Sequence, residues 1–152
     1  MVSEKSPVIG EPVQLLDKTF DFTCVSMGNP HAIAFVDNVK DFPLETYGKV
    51  SENHPMYPEQ VNTEFVEIVD ESHVKMRVWE RGTGETWACG TGASAVAVAC
   101  VLNGKTGRKV DLIPPEHAWI SSNGPKTFKE AIEKLQAVRQ RIIDELALKI
   151  DK

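Results

Sequence analysis

Cysteine is scarce in this sequence of 152 residues: there are 3, Cys24, Cys89 and Cys100. An odd number without CxxC spacing argues against both a disulfide framework and a zinc site, so any cysteine chemistry is that of a thiol. Long apolar runs are also missing. None approaches the roughly 20 residues that span a bilayer, and the opening Met-Val-Ser-Glu-Lys lacks the apolar stretch of a signal peptide. A cytoplasmic protein with no membrane partner is expected. Nor is there an excess of positive charge, since 17 Lys and Arg stand against 22 Asp and Glu, for a net charge of -5. Without a basic stripe to meet a phosphate backbone, no nucleic acid partner is expected. What is present, 41% hydrophobic and 26% charged residues, suits one domain with a real core.

From Val13 onward the residues favour β-structure, and strands are expected over 20–26 and 32–37. A short helix over 44–50 should end before Pro55-Met56-Tyr57-Pro58. The clearest hairpin follows. Phe65, Glu67 and Val69 alternate with Val66 and Ile68, then Val74, Met76 and Val78 with Lys75 and Arg77, and Asp70-Glu71-Ser72 makes the turn. This reads as a half-buried antiparallel pair. The Gly-rich stretch 80–92 leads into a helix over 93–102 that has no polar face beyond Ser94 and should be buried all round. The expected fold is α+β, a mainly antiparallel curved sheet or partial barrel wrapped around this central helix. Beyond the domain of residues 1–110, a tail over 111–152 carries an amphipathic helix at 127–150, marked by Phe128, Ile132, Leu135, Val138, Ile142, Leu146 and Ile150. Its apolar stripe should pack on the same domain, with a partner helix from another copy as the alternative.

Cys89 stands where the first N–H groups of a helix and its positive dipole end favour a thiolate. Gly90 and Gly92 leave those N–H groups uncovered, so a carboxylate could rest on them beside the sulfur. The competing use is that of most cysteines, a small buried hydrophobe. Cys100, eleven positions on, lies about 16 Å further along a helix at about 1.5 Å per residue. It cannot share a substrate atom with Cys89. Cys24, among aromatic and branched residues, reads as core.

Four blocks resemble successive signatures of the diaminopimelate epimerase family: Ser26-Met27-Gly28-Asn29-Pro30-His31, Val61-Asn62-Thr63-Glu64-Phe65, Trp79-Glu80-Arg81-Gly82-Thr83-Gly84-Glu85-Thr86 and Ala88-Cys89-Gly90-Thr91-Gly92-Ala93. Their order and spacing follow the family from about residue 20 to 109. The resemblance implies a cofactor-independent amino-acid epimerase, with no metal, in which Cys89 is one of two thiols on opposite faces of a substrate α-carbon. It implies that Asn29 and Asn62 hold the amino-acid substrate and that Glu80 and Arg81 bind its charged groups. Gly90 and Thr91 would offer backbone donors to the α-carboxylate, with His31 and Glu80 tuning the thiols. Inversion without pyridoxal phosphate needs a base on one face and an acid on the other, and a thiolate and a thiol can exchange those roles. Taken singly, Asn29 before Pro30 also reads as a turn former, His31 as a satisfied buried histidine, and Glu80-Arg81 as an exposed ion pair.

The family's N-terminal half, with its own cysteine, is absent from these residues, so the opposite acid/base is expected from a separate N-terminal half or a second copy of the chain. After Val110 the sequence departs from the family, with Pro114-Pro115 and the 127–150 helix in place of further strands. Two other readings stand beside the epimerase. One is an inactive fragment or interaction domain that keeps the scaffold. The other is a dinucleotide site, since Gly90-Thr91-Gly92-Ala93-Ser94-Ala95 fits GxGxxA with Asp111 about 20 residues on, but no apolar strand precedes it.

Overall fold

A computed structural model describes residues 6–87 and 89–113. Strand β1 (Glu11–Leu15) turns back through Leu16 and Asp17 into β2 (Lys18–Ser26), and Met27 to Asn29 then lead to β3 (Pro30–Phe35). Leu16 closes the first of these turns with a φ of 54°, and Gly28 sits in the second with a φ of 93°, a conformation open to glycine. The chain then leaves the sheet for helix α1 (Leu44–Glu52) and returns as β4 (Asn62–Ile68), which pairs with β3 in parallel. Parallel neighbours require such an excursion, because a tight turn cannot join them. A hairpin gives β5 (His73–Glu80), followed by the short β6 (Gly84–Thr86), helix α2 (Gly90–Leu102) and β7 (Asp111–Ile113).

The sheet runs β1-β2-β3-β4-β5-β6, and β7 joins the same edge of β5 as β6: His73 to Lys75 pair with β7 in parallel, Val78 to Glu80 with β6 antiparallel. Strand alternation divides the core in two. Phe20, Phe22, Ala32, Ala34 and Phe65 point to the side where α1 brings Leu44 and Tyr47. Ile33, Val66, Val74, Met76 and Val78 point to the side where α2 brings Ala95, Val96, Ala99 and Cys100. Helix α1 approaches the sheet closely at Gly48, where a Cβ would lie 2.6 Å from the Trp79 ring. Its last residue, Glu52, accepts hydrogen bonds from Trp79 Nε1 at 2.8 Å and Gly82 N at 2.6 Å. These bonds fix the β5–β6 corner.

Several expectations need correction. The sheet is mixed and open along its edges, with β1 and β6 at the two ends of its path, so the described residues form no closed or partial barrel. Helix α2 lies against one face of the sheet and is not wrapped: Val98, Val101 and Leu102 are exposed despite the apolar composition. Strand β4 is not half-buried, since Asn62 to Val66 are all buried, as befits a central strand covered by a helix on each side. Strand β1 and the short β6 and β7 had no distinct sequence signal. The 127–150 helix lies outside the described residues.

Candidate active site

The two faces of the sheet differ in chemistry. On the α2 side, the apolar rows of β3, β4 and β5 end in polar residues at one edge of the core: His31 before Ile33, Asn62 and Glu64 before Val66, and Glu80 after Val78. Parallel register places His31 beside Asn62, and the antiparallel pairing of β5 brings Glu80 to the same end. Helix α2 starts over this polar end.

Cys89 is the N-cap of α2, with an extended backbone (φ -131°, ψ 103°). Its sulfur accepts from Gly92 N at 3.3 Å and lies 3.5 Å from Thr91 Oγ1. At Gly90 a Cβ would meet nothing within 4 Å, so the first turn of the helix is open there. At Gly92 a Cβ would lie 2.7 Å from Glu64 Oε1 and 3.1 Å from the sulfur. Glycine at this position therefore lets the first turn of the helix seat closely on the sheet, and a larger residue would have to displace Glu64 or the sulfur.

His31 is 1% exposed, and both ring nitrogens are engaged: Nδ1 lies 2.6 Å from Glu64 Oε1 and Nε2 3.1 Å from Asn29 Oδ1. Asn29 Nδ2 donates to Thr91 Oγ1 at 3.3 Å. Asn29, His31, Thr91 and Cys89 are thus joined through consecutive contacts. Asn62 has another task, because its Oδ1 accepts from Arg81 N at 3.0 Å and so holds the strand end that carries Glu80. Arg81 donates from Nη1 to Glu59 O at 3.0 Å and has an exposed side chain. Glu80 accepts from the Thr86 hydroxyl and, among the described residues, makes no hydrogen bond to Cys89 or His31. A cleft of about 230 Å³ lies beside His31, lined by Ser26, Pro30, Tyr57 and Gln60 among others.

Burial pushes the thiols of Cys24 and Cys100 up to about 11. Cys100 packs in the α2 core, away from the helix start that holds Cys89. The same effect raises the Glu64 carboxyl to about 7, although its bond to His31 pulls the other way. Glu64 is the site residue that sequence reasoning passed over. A charged residue two places from Asn62 in an apolar strand was the available signal, since alternation puts both on one face. His73 begins β5 and is partly exposed.

The glycine-rich start of α2 is preceded by β6, a three-residue antiparallel strand, and not by the parallel strand of a dinucleotide fold. No group of three or more His, Cys, Asp or Glu suited to a metal ion occurs among the described residues. No helix among them is long and apolar enough to cross a membrane.

A family model described as diaminopimelate epimerase matches residues 23–113. The diaminopimelate epimerase of Methanococcus maripaludis is 59% identical over 109 residues, covering 72% of this chain and 39% of that protein. That of Agathobacter rectalis is 56% identical over 108 residues, covering 71% and 38%, and that of Acetivibrio thermocellus is 58% identical over 107 residues, covering 70% and 38%. This chain therefore spans about two fifths of the length of these curated relatives. With most of its sheet and both described helices inside the matched segment, the chain belongs to the diaminopimelate epimerase family.

Proposed function

We propose that this chain supplies one half-site of a cofactor-independent epimerase that converts LL- to meso-diaminopimelate, a step in making lysine and peptidoglycan precursors. Cys89 is the acid/base on one face of the substrate α-carbon. The observation that carries this reading is the convergence of Cys89, at the first turn of α2, with Asn29, His31, Asn62 and Glu80 at one end of the sheet. As a thiolate, Cys89 removes the α-proton, and a thiol on the opposite face delivers a proton to the other side. Negative charge that develops on the substrate carboxylate is stabilised by the N–H groups of Gly90 and Thr91. Asn29, Asn62 and Arg81 bind the polar ends of the amino acid, and Glu80 and His31 tune the thiol chemistry.

The opposite thiol comes from an N-terminal half or from a second copy of the chain. Strands beyond those described would be needed to wrap the sheet around α2 and to cover Val98, Val101 and Leu102. In this scheme residues 1–110 form the epimerase-like domain. The second reading is an inactive fragment or interaction domain that keeps the scaffold, and it is favoured by that uncovered apolar face of α2.

Incubating the chain with LL-diaminopimelate in deuterated water, with and without a separately expressed N-terminal half of a relative, tests the proposal. Solvent deuterium at the α-carbon that vanishes in Cys89→Ala supports it. No incorporation under either condition, from protein with native circular dichroism, would leave the scaffold reading.

A further inference from the structure

The two-thiol scheme makes no use of Glu64. This residue is 0% exposed, its Oε1 faces His31 Nδ1 at 2.6 Å, and its Oε2 has no hydrogen-bond partner among the described residues. A carboxylate so placed is costly unless a partner compensates it, so its retention at the centre of the sheet calls for a reason. We infer that Glu64 is a positioning residue that sets the direction of the hydrogen bonds running through His31, Asn29 and Thr91, so that the Thr91 hydroxyl donates to the sulfur of Cys89.

The direction follows from counting donors. Asn29 gives its Nδ2 to Thr91 Oγ1 at 3.3 Å, so the Oδ1 that faces His31 Nε2 at 3.1 Å is an acceptor and Nε2 carries a proton. A neutral ring protonated at Nε2 has a lone pair on Nδ1, which needs the Glu64 carboxyl as donor. A doubly protonated ring instead donates to the carboxylate. Either way one proton lies between Glu64 and Nδ1, and the pair carries no net charge, as a dry site requires. Burial, together with the charge of Glu80 from β5, acts in the same sense by raising the Glu64 carboxyl, while His31 opposes it.

At the other end, Thr91 Oγ1 already accepts from Asn29, which leaves its proton free to lie along the 3.5 Å contact to the sulfur, where Gly92 N–H also donates at 3.3 Å. Without a proton held at Glu64, His31 can take the Nδ1–H tautomer and the Asn29 amide can turn over. Thr91 would then face the sulfur with a lone pair. The importance of this chain for turnover rests on the epimerase reading, whereas the bond directions do not.

The test uses the full chain and no substrate. Nitrogen-15 spectra report the His31 tautomer, and peptide mapping follows the alkylation rate of Cys89 by iodoacetamide, both at about pH 6, below the value of about 7 at which Glu64 gives up its proton. The wild type and Glu64→Gln, whose amide can still donate to Nδ1, should both show Nε2–H and agree in rate within about twofold, whereas Glu64→Met should lose the single tautomer and slow Cys89 about fivefold, the size of one modest hydrogen bond. Thr91→Val should give the same slowing with the His31 tautomer unchanged. An Nδ1–H tautomer in the wild type, or a wild-type rate in Thr91→Val, overturns the inference. If Glu64→Met loses native circular dichroism, the wild-type tautomer and the Thr91→Val rate decide alone. Absent deuterium incorporation with these results intact removes only the epimerase reading, and incorporation with an unchanged Thr91→Val rate removes only this inference.

Discussion

Glu64→Gln should change how stability depends on pH more than it changes the fold. Burial raises the Glu64 carboxyl from 4.5 to about 7. Between those values the folded protein holds a proton that the unfolded chain has released. The contribution of Glu64 is therefore fully present below about 4.5 and is lost as pH rises through about 7. At about 1.4 kcal/mol for each pH unit, the loss comes to about 3 kcal/mol, most of it between about pH 5 and pH 8. The glutamine has nearly the same shape, can meet His31 Nδ1 and does not titrate. Urea unfolding followed by circular dichroism across this range should show the wild type losing about 2.5 kcal/mol more than the variant. Shared groups such as Asp70, held down to about 2 by the Ser72 amide and by His73, cancel in the difference. A difference that stays constant within about 0.5 kcal/mol over the range would refute the assignment of a buried, raised carboxyl to Glu64.

Iodoacetamide near pH 8 should label Cys89 before Cys24 and Cys100, whose thiols burial holds at about 11; equal labelling of all three by peptide mapping would count against the placement of Cys89. Gly92→Ala, which in an open helix would gain about 1 kcal/mol, should instead cost about 1–3 kcal/mol, because its methyl meets Glu64 and the sulfur. Gly90→Ala, with nothing near its Cβ, is the matched control and should be neutral or stabilising in thermal unfolding. Leu16→Asn should raise stability by about 1 kcal/mol, since Leu16 is 56% exposed and holds a left-handed backbone with a φ of 54°.

The hairpin of β4 and β5 and the short helix α1 were legible because alternation and turn residues are local signals. Cys89 at a helix start was legible for the same reason, though the helix begins at Gly90 and not at 93, since glycine propensity understates what an N-cap and the sheet beneath it can hold. Burial was less legible. The apolar composition of α2 suggested cover on all sides, yet composition does not say how many neighbours a helix has, and Val98, Val101 and Leu102 face outward. Parallel pairing of β3 with β4 and the shared edge of β5 are long-range choices without a local signature. The role of Glu64 was hidden for that reason, because its partner His31 is 33 positions away and becomes a neighbour only through that parallel pairing.

The parallel step between β3 and β4 also bears on how the site comes into being. Strands β1 to β3 form a meander and β4 with β5 a hairpin, and each can be assembled from contacts close in sequence. Joining the two requires closing the whole excursion from Val36 to Val61, with its entropic cost met before β3 and β4 gain any contact. His31 meets Asn62 and Glu64 across this seam. Either subassembly alone therefore contains strands but no site, and the environment of Cys89 is expected to mature only in the slowest phase of refolding.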